Sequence, residues 1–447
     1  MSELGDNKTA PADNLAPPGI IARVEAARYR SLLYVSQRLR RFHALVGPNA
    51  SGKSTLLDVF AFVGDILRGG LVAAIEGDVR LGIPFRAPDG KHLTWMRSPN
   101  GFELAIEATV PPEIAARVQN GSPSLCRYEL AIDVSEQPQI RIETLWLIQH
   151  TYSGTPEGGM QRLFPDPDIP TKGVVIHRRR APEGWRKVVS RGESPEQVRF
   201  QSETSGWGNP FRIRASEAAL ANLPEDAERF PVATWLRRFL TEGIQRVVLS
   251  AEHMRRPSPP SRVRGYLPDG SNLPHAIHEL KTKHPARFQR WIDHLREALP
   301  NLHDVSTHER EEDRHRYLIV HYKNGDQILD APSWLVSDGT LRMLALTLLA
   351  YLPDLTGVYL IEEPENGIHP QAIEPVIQSL SSVYSAQVLL ATHSPVVLST
   401  LPPSQILCFA LNPQGATDVI SGDEHPRLRE WKGTSDLGTL LAAGVLS

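Results

Sequence analysis

A strand-like run, Phe42 to Val46, passes without a break into Gly47-Pro48-Asn49-Ala50-Ser51-Gly52-Lys53-Ser54, followed by Thr55. Beyond it Leu57, Phe60, Ala61, Gly64 and Leu67 recur at helical spacing. Strand, glycine-bearing loop and amphipathic helix in direct succession constrain this end of the chain to an α/β unit. In such a unit the backbone N–H groups at the helix N-terminus face an anion. The loop fills every fixed position of the phosphate-binding pattern. Its glycines let the backbone wrap phosphates, Lys53 reaches the outer phosphates and Ser54 ligates magnesium.

Three later segments extend the pattern. Val358 to Ile361 is an apolar run of the kind found in central parallel strands, and it delivers Glu362 and Glu363 to the strand end. Glu362 is expected to hold magnesium through water and Glu363 to activate the attacking water as general base. Ser337-Asp338-Gly339-Thr340 opens a helix whose stripe is Leu344, Ala345, Leu348, Leu349 and Leu352. Ser337 is the expected N-cap, and with the Gly339 amide it is placed to meet a phosphate at the positive helix end. His393 follows the apolar run Val388 to Ala391, where a neutral imidazole reaches a terminal phosphate or its water.

Organisation along the 447 residues follows from changes of period. Residues 1–19 read as a disordered tail and 20–78 as the first part of the core, with strands expected at Ile20 to Ala27 and Phe42 to Val46. From 79 to 250 short alternating segments (Phe102 to Val110, Arg127 to Val134, Ile140 to Ile148, Lys187 to Val189) predict an antiparallel, strand-rich lobe. Residues 251–330 read as a helical or arm lobe and 331–447 as the second part of the core. The middle carries no sustained heptads, so no long coiled-coil arm is expected.

Composition excludes several classes. The longest mostly apolar stretch, Leu341 to Leu352, is far too short to cross a bilayer, so no membrane association is expected. Cys126 and Cys408 are isolated, which argues against a zinc site and fits a reducing cytoplasm. A net charge of -3 gives no global attraction to nucleic acid. Local patches, Arg178 to Arg191 (Arg178, Arg179, Arg180, Arg186, Lys187, Arg191) and Arg255 to Arg264 (Arg255, Arg256, Arg262, Arg264), offer positive charge for DNA phosphates. The competing reading is of solvated faces offset by nearby acids. His303, His308, His315 and His321 lack metal-ligand spacing, and Trp334 reads as a packing residue.

Taken together, Walker A at Gly47 to Ser54, a shortened signature at Ser337 to Thr340, Walker B at Val358 to Glu363, the Glu365-Asn366-Gly367-Ile368-His369-Pro370 D-loop and the His393 switch resemble the ABC-type ATPase heads of the RecF, SMC and OLD group. The wording from Glu362 to Pro370, with Ala391-Thr392-His393-Ser394-Pro395, is similar to the compact AAA-family ATPases of prokaryotic anti-phage defence operons. Tyr29-Arg30-Ser31 resembles the aromatic-Arg-Ser turn near the start of those heads. The resemblance implies a P-loop NTPase of ABC-ATPase type, with a mixed central sheet and an antiparallel β lobe and a helical lobe inserted between Walker A and the signature. It implies ATP and Mg2+ as cofactors and a head-to-tail pair of chains. Each nucleotide then lies between one chain's Lys53 loop and its partner's Ser337. Asp338 stands where transporters carry glycine, and Glu362 replaces the usual Walker B aspartate. Only about fifty residues follow His393, too few for a C-terminal TOPRIM nuclease domain, so an effector, possibly a nuclease, is expected on another chain. The expected role is the sensor or regulatory ATPase of a defence system; the alternative is a RecF-like repair ATPase that binds DNA.

Overall fold

The computed structural model describes residues 19–119, 121–134, 137–149, 163–169, 172–176, 181–192, 194–206, 208–260 and 265–426. The expected tail therefore lies, but for residue 19, outside the described residues, as do Arg178, Arg179, Arg180, Arg262 and Arg264.

The chain begins with β1 (Ile21–Tyr29), β2 (Leu32–Arg38), β3 (Phe42–Val46) and α1 (Lys53–Glu76). It continues through β4 (Phe102–Thr109), α2 (Pro112–Ala115), β5 (Leu125–Asp133), β6 (Gln139–Ile148), β7 (Trp185–Arg191), β8 (Gln197–Gln201) and β9 (Gly208–Arg212). These strands, β3 excepted, form one antiparallel eight-stranded sheet in the order β2-β1-β4-β5-β6-β7-β8-β9. The strand-rich region is thus antiparallel, and β1 and β2 join it in a single sheet. β2 is a strand that the sequence reading did not expect: its second half, Ser36-Gln37-Arg38, is polar because it lies on the sheet edge.

After α3 (Pro231–Glu242) come β10 (Ile244–Val247), α4 (Ala251–Arg255), α5 (Leu273–Lys283) and α6 (Pro285–Ala298). A three-stranded antiparallel sheet follows, β11 (Leu302–Glu309), β12 (Arg316–Asn324) and β13 (Gln327–Pro332). The remaining elements are α7 (Asp338–Leu348), β14 (Val358–Glu362), α8 (Pro370–Ser381), β15 (Gln387–Thr392), α9 (Pro395–Thr400), β16 (Ile406–Leu411) and β17 (Thr417–Ser421). They complete a six-stranded sheet, β10-β14-β15-β3-β16-β17, parallel except for β17.

Alternation along β14 and β15 assigns the two faces of this sheet. Val358, Leu360, Leu389 and Ala391 join α1 and the eight-stranded sheet in one core, while Tyr359, Ile361, Val388 and Leu390 join α5 to α8 in another. α1 lies between two sheets and is buried around most of its circumference, which is why Val59, Phe62, Val63 and Ile66 are apolar outside the expected stripe. Tyr29, Phe62 and Phe102 pack ring to ring where α1 meets the large sheet, with centroids 5.1–5.9 Å apart. The result fixes the start of α1 between the ends of β3, β14 and β15.

Candidate functional site

The loop between β3 and α1 adopts a conformation that its glycines make available. Gly47 has φ +150, and a Cβ there would stand 2.2 Å from the Phe409 carbonyl oxygen on β16. Ala50 also has positive φ. Ser51 and Lys53 are buried, while Pro48, Asn49, Ala50 and Ser54 are exposed. α1 starts at Lys53 behind Gly52, with no side-chain N-cap bond and no acid in its first turn. Its leading N–H groups are therefore left for an anion. Thr55 lies half-buried in that first turn. The Tyr29-Arg30-Ser31 turn braces this region. Tyr29 donates its hydroxyl to Asp58 of α1 at 2.7 Å, and Ser31 Oγ accepts from Thr417 of β17 at 2.9 Å.

Lys53 curls back over the loop. Its Nζ donates to the carbonyls of Gly47 (2.9 Å) and Pro48 (2.7 Å), and only 5% of the residue is exposed. Burial of the ammonium lowers its pKa to about 8, against the opposing pull of Glu363. Carbonyl oxygens satisfy the ammonium without neutralising it, so a phosphate would be a stronger partner.

Ser54 Oγ donates to Glu362 Oε2 at 2.5 Å, bringing the two expected magnesium ligands together. Among the described residues no group of three or more His, Cys, Asp and Glu forms a metal cage. A magnesium ion here would be held by Ser54, Glu362, waters and phosphate oxygens, a donor set that fits this cation. Arg246 of β10 holds the other oxygen of Glu362 at 2.5 Å. The sequence reading missed Arg246, which is one polar residue on a short strand 116 positions away.

Glu363 lies just past β14 at positive φ (48°), exposed, with its N–H bonded to the Ala391 carbonyl at 2.8 Å. A left-handed glutamate is costly unless the surroundings enforce it, and here it aims the carboxylate into a cavity of about 530 Å³. Asn49, Glu363, Glu365, Asn366, Gly367 and His393 line that cavity. Burial and the nearby Lys53 charge lower the His393 pKa, so its imidazole is neutral at pH 7. Glu365 accepts from Thr392 Oγ1 (2.6 Å) and the His393 amide (3.3 Å), which ties the end of β15 to the segment after β14. This tether was inside the quoted motif, yet its partner lies 27 residues away and no spacing rule announces it.

Ser337 N-caps α7, accepting from the Thr340 amide at 3.2 Å, and is exposed. It is not among the residues lining the Glu363 cavity. A Cβ at Gly339 would meet the Gly367 carbonyl oxygen at 2.5 Å, so this glycine lets the start of α7 press against a residue of the cavity wall. Asp338 pairs with Arg255 at 2.5 Å.

The described residues of the two basic patches are engaged within the chain. Arg191 is 1% exposed, ion-paired with Glu143 at 3.4 Å and bonded to the carbonyls of Pro195, Arg214 and Glu217, so it is a structural residue closed to DNA. Arg186 donates to the Gln119 and Glu203 carbonyls, and Lys187 sits over the Trp146 ring. Arg255 and Arg256 pair with Asp338 and Glu252. Of the four clustered histidines, His315 and His321 pair with Asp313 and Asp330, and His308 packs on Tyr317. Trp334 packs on Tyr317 at 5.0 Å and remains half exposed. No described helix is long and apolar enough to cross a membrane.

Residues 42–399 match the family model described as "AAA domain, putative AbiEii toxin, Type IV TA system". Among solved structures, three SMC heads are similar. One is a head bound to the C-winged helix domain of ScpA, at 14% identity and TM-score 0.48, covering 90% of this chain and 97% of that one. A second carries an extended coiled coil and is bound to the C-terminal domain of ScpA derived from Pyrococcus furiosus, at 13% identity and TM-score 0.43, covering 90% and 96%. The third is the head domain from Thermotoga maritima, at 11% identity and TM-score 0.38, covering 90% and 98%.

Proposed function

The chain belongs to the AAA-domain family of putative AbiEii toxins and is a P-loop ATPase, and from that premise we propose that its working unit is a pair of chains closed by ATP. Lys53 exchanges its loop carbonyls for the outer phosphates, and the amides from Gly47 to Thr55 cradle them. Ser54 and Glu362 would hold a magnesium ion, which would supply neutralisation of phosphate charge. Glu363 orients and deprotonates the attacking water, and neutral His393, fixed by Glu365, donates to the terminal phosphate.

One observation supports the pair. Gly339 packs against Gly367, a wall residue of the cavity that holds Glu363 and His393, which brings the start of α7 beside the site without burying Ser337. Ser337 and Asp338 at the start of α7 are exposed, so Ser337 suits a nucleotide held by a second copy. Contacts made only to the terminal phosphate then favour the closed pair, and hydrolysis releases it.

The description of the family as a putative toxin of a type IV toxin–antitoxin system supports a place in prokaryotic defence; within it the chain would act as a cytoplasmic regulatory ATPase on a separately encoded effector, a reading that rests on the resemblance of its motifs. The alternative reading, a DNA-binding repair ATPase, loses support from the burial of Arg191 and the pairing of Arg255 and Arg256.

Complementation tests the composite site. Lys53→Ala and Ser337→Arg chains should each be inactive alone. Mixed one to one, half of the pairs are mixed and each of these holds one intact site, so activity should recover to about a quarter of wild type. A mixture as inactive as its parts would overturn the shared site.

A further inference from the structure

Arg246 lies on the edge strand β10, and none of the steps above uses it. β10 runs parallel to β14 with Arg246 opposite Leu360. Glu362 stands two residues beyond Leu360 on the same face, which makes Arg246 and Glu362 diagonal neighbours. The Arg246 guanidinium meets Glu362 Oε1 at 2.5 Å while Ser54 Oγ meets Oε2 at 2.5 Å. Both oxygens of the carboxylate assigned to the metal are thus engaged, one of them by a fixed positive charge.

We propose that Arg246 competes with the divalent cation for Glu362 and so sets how tightly the site holds metal. The proposal rests on the reading of Ser54 and Glu362 as the metal side of the site. Arginine keeps its charge at any working pH, so a cation arriving at Glu362 meets a carboxylate already matched by a guanidinium and is repelled by it. The Arg246 side chain is 52% exposed, which lets it turn into solvent when the metal takes its place. The same exposure screens the pair, and the effect is correspondingly moderate.

The test measures how free Mg2+ raises the affinity of the full chain for a fluorescent, non-hydrolysable ATP analogue, and records the Mg2+ concentration at half effect. In Arg246→Gln this midpoint should fall about two- to five-fold, the range that an exposed ion pair supports. Arg246→Lys, which keeps the charge, should lie between that variant and wild type, and the Gln effect should shrink at high salt. In a Glu362→Gln background, Arg246→Gln should leave the midpoint where it is. A midpoint unmoved or raised by Arg246→Gln, or a shift that persists without Glu362, overturns the proposal. Wild-type analogue binding that ignores Mg2+ altogether would instead overturn the metal assignment of Ser54 and Glu362.

Discussion

Lys53 gives the nucleotide site a pH dependence whose size follows from its burial. The ordinary lysine value of 10.5 is lowered to about 8 because burial withdraws the ammonium from water, a loss that the nearby Glu363 charge only partly offsets. At pH 7 the free protein carries this charge, and at pH 9 roughly nine-tenths of the chains have lost it. Phosphates beside Nζ favour the charged form, so nucleotide binding above pH 8 must take up a proton. Affinity should therefore weaken by about tenfold between pH 7 and pH 9, one pKa unit of linkage. Fluorescent-nucleotide titration across that range measures it, with Lys53→Arg as a control that stays flat because guanidinium does not titrate. The stability term has the opposite sense. The unfolded chain binds more protons between pH 8 and 10.5, so this group makes the fold more stable as pH rises through that window. Wild-type affinity that is level from pH 7 to pH 9 would refute the reasoning.

Two substitutions probe the scaffold. Gly47→Ala places a Cβ 2.2 Å from the Phe409 carbonyl oxygen, and backbone cannot yield as a side-chain tip can; nucleotide binding should be lost and the melting temperature should fall, both read in one thermal-shift series with and without ATP. Trp291→Phe removes a fully buried indole and its 2.9 Å bond to Thr347 between α6 and α7, although the Thr347 hydroxyl keeps its own 2.7 Å bond to the Met343 carbonyl; urea unfolding should show a loss of about 1–3 kcal/mol, from the small cavity and one lost hydrogen bond.

What could be read from the sequence was local. β3, the loop and α1 are consecutive, so their order already implied the phosphate site. β14 and β15 are apolar on both faces because helices cover both, and each ends in residues of the site. Ser337 declared itself as an N-cap by residue type, and the structure agrees. The rest depends on contacts between distant segments. Nothing along Ile244–Val247 says that β10 will pair beside β14 and put Arg246 on Glu362. Arg191 resembled the other basic residues of its patch in composition, yet it is enclosed by Glu143 and the carbonyls of Pro195, Arg214 and Glu217. The extra apolar faces of α1 were visible as residues, but their meaning required a second sheet above the helix.

The measurement that bears most directly on the ATP-closed pair is the mass in solution of a Glu363→Gln chain with and without ATP and Mg2+. Removing the proposed general base while leaving Lys53, Ser54 and Glu362 in place should trap the closed state. Sedimentation should then show about twice the chain mass with ATP, and the lower mass again with ADP or with Ser337→Arg added to the trapped variant. An unchanged mass on adding ATP, at concentrations where nucleotide is demonstrably bound, would contradict the account.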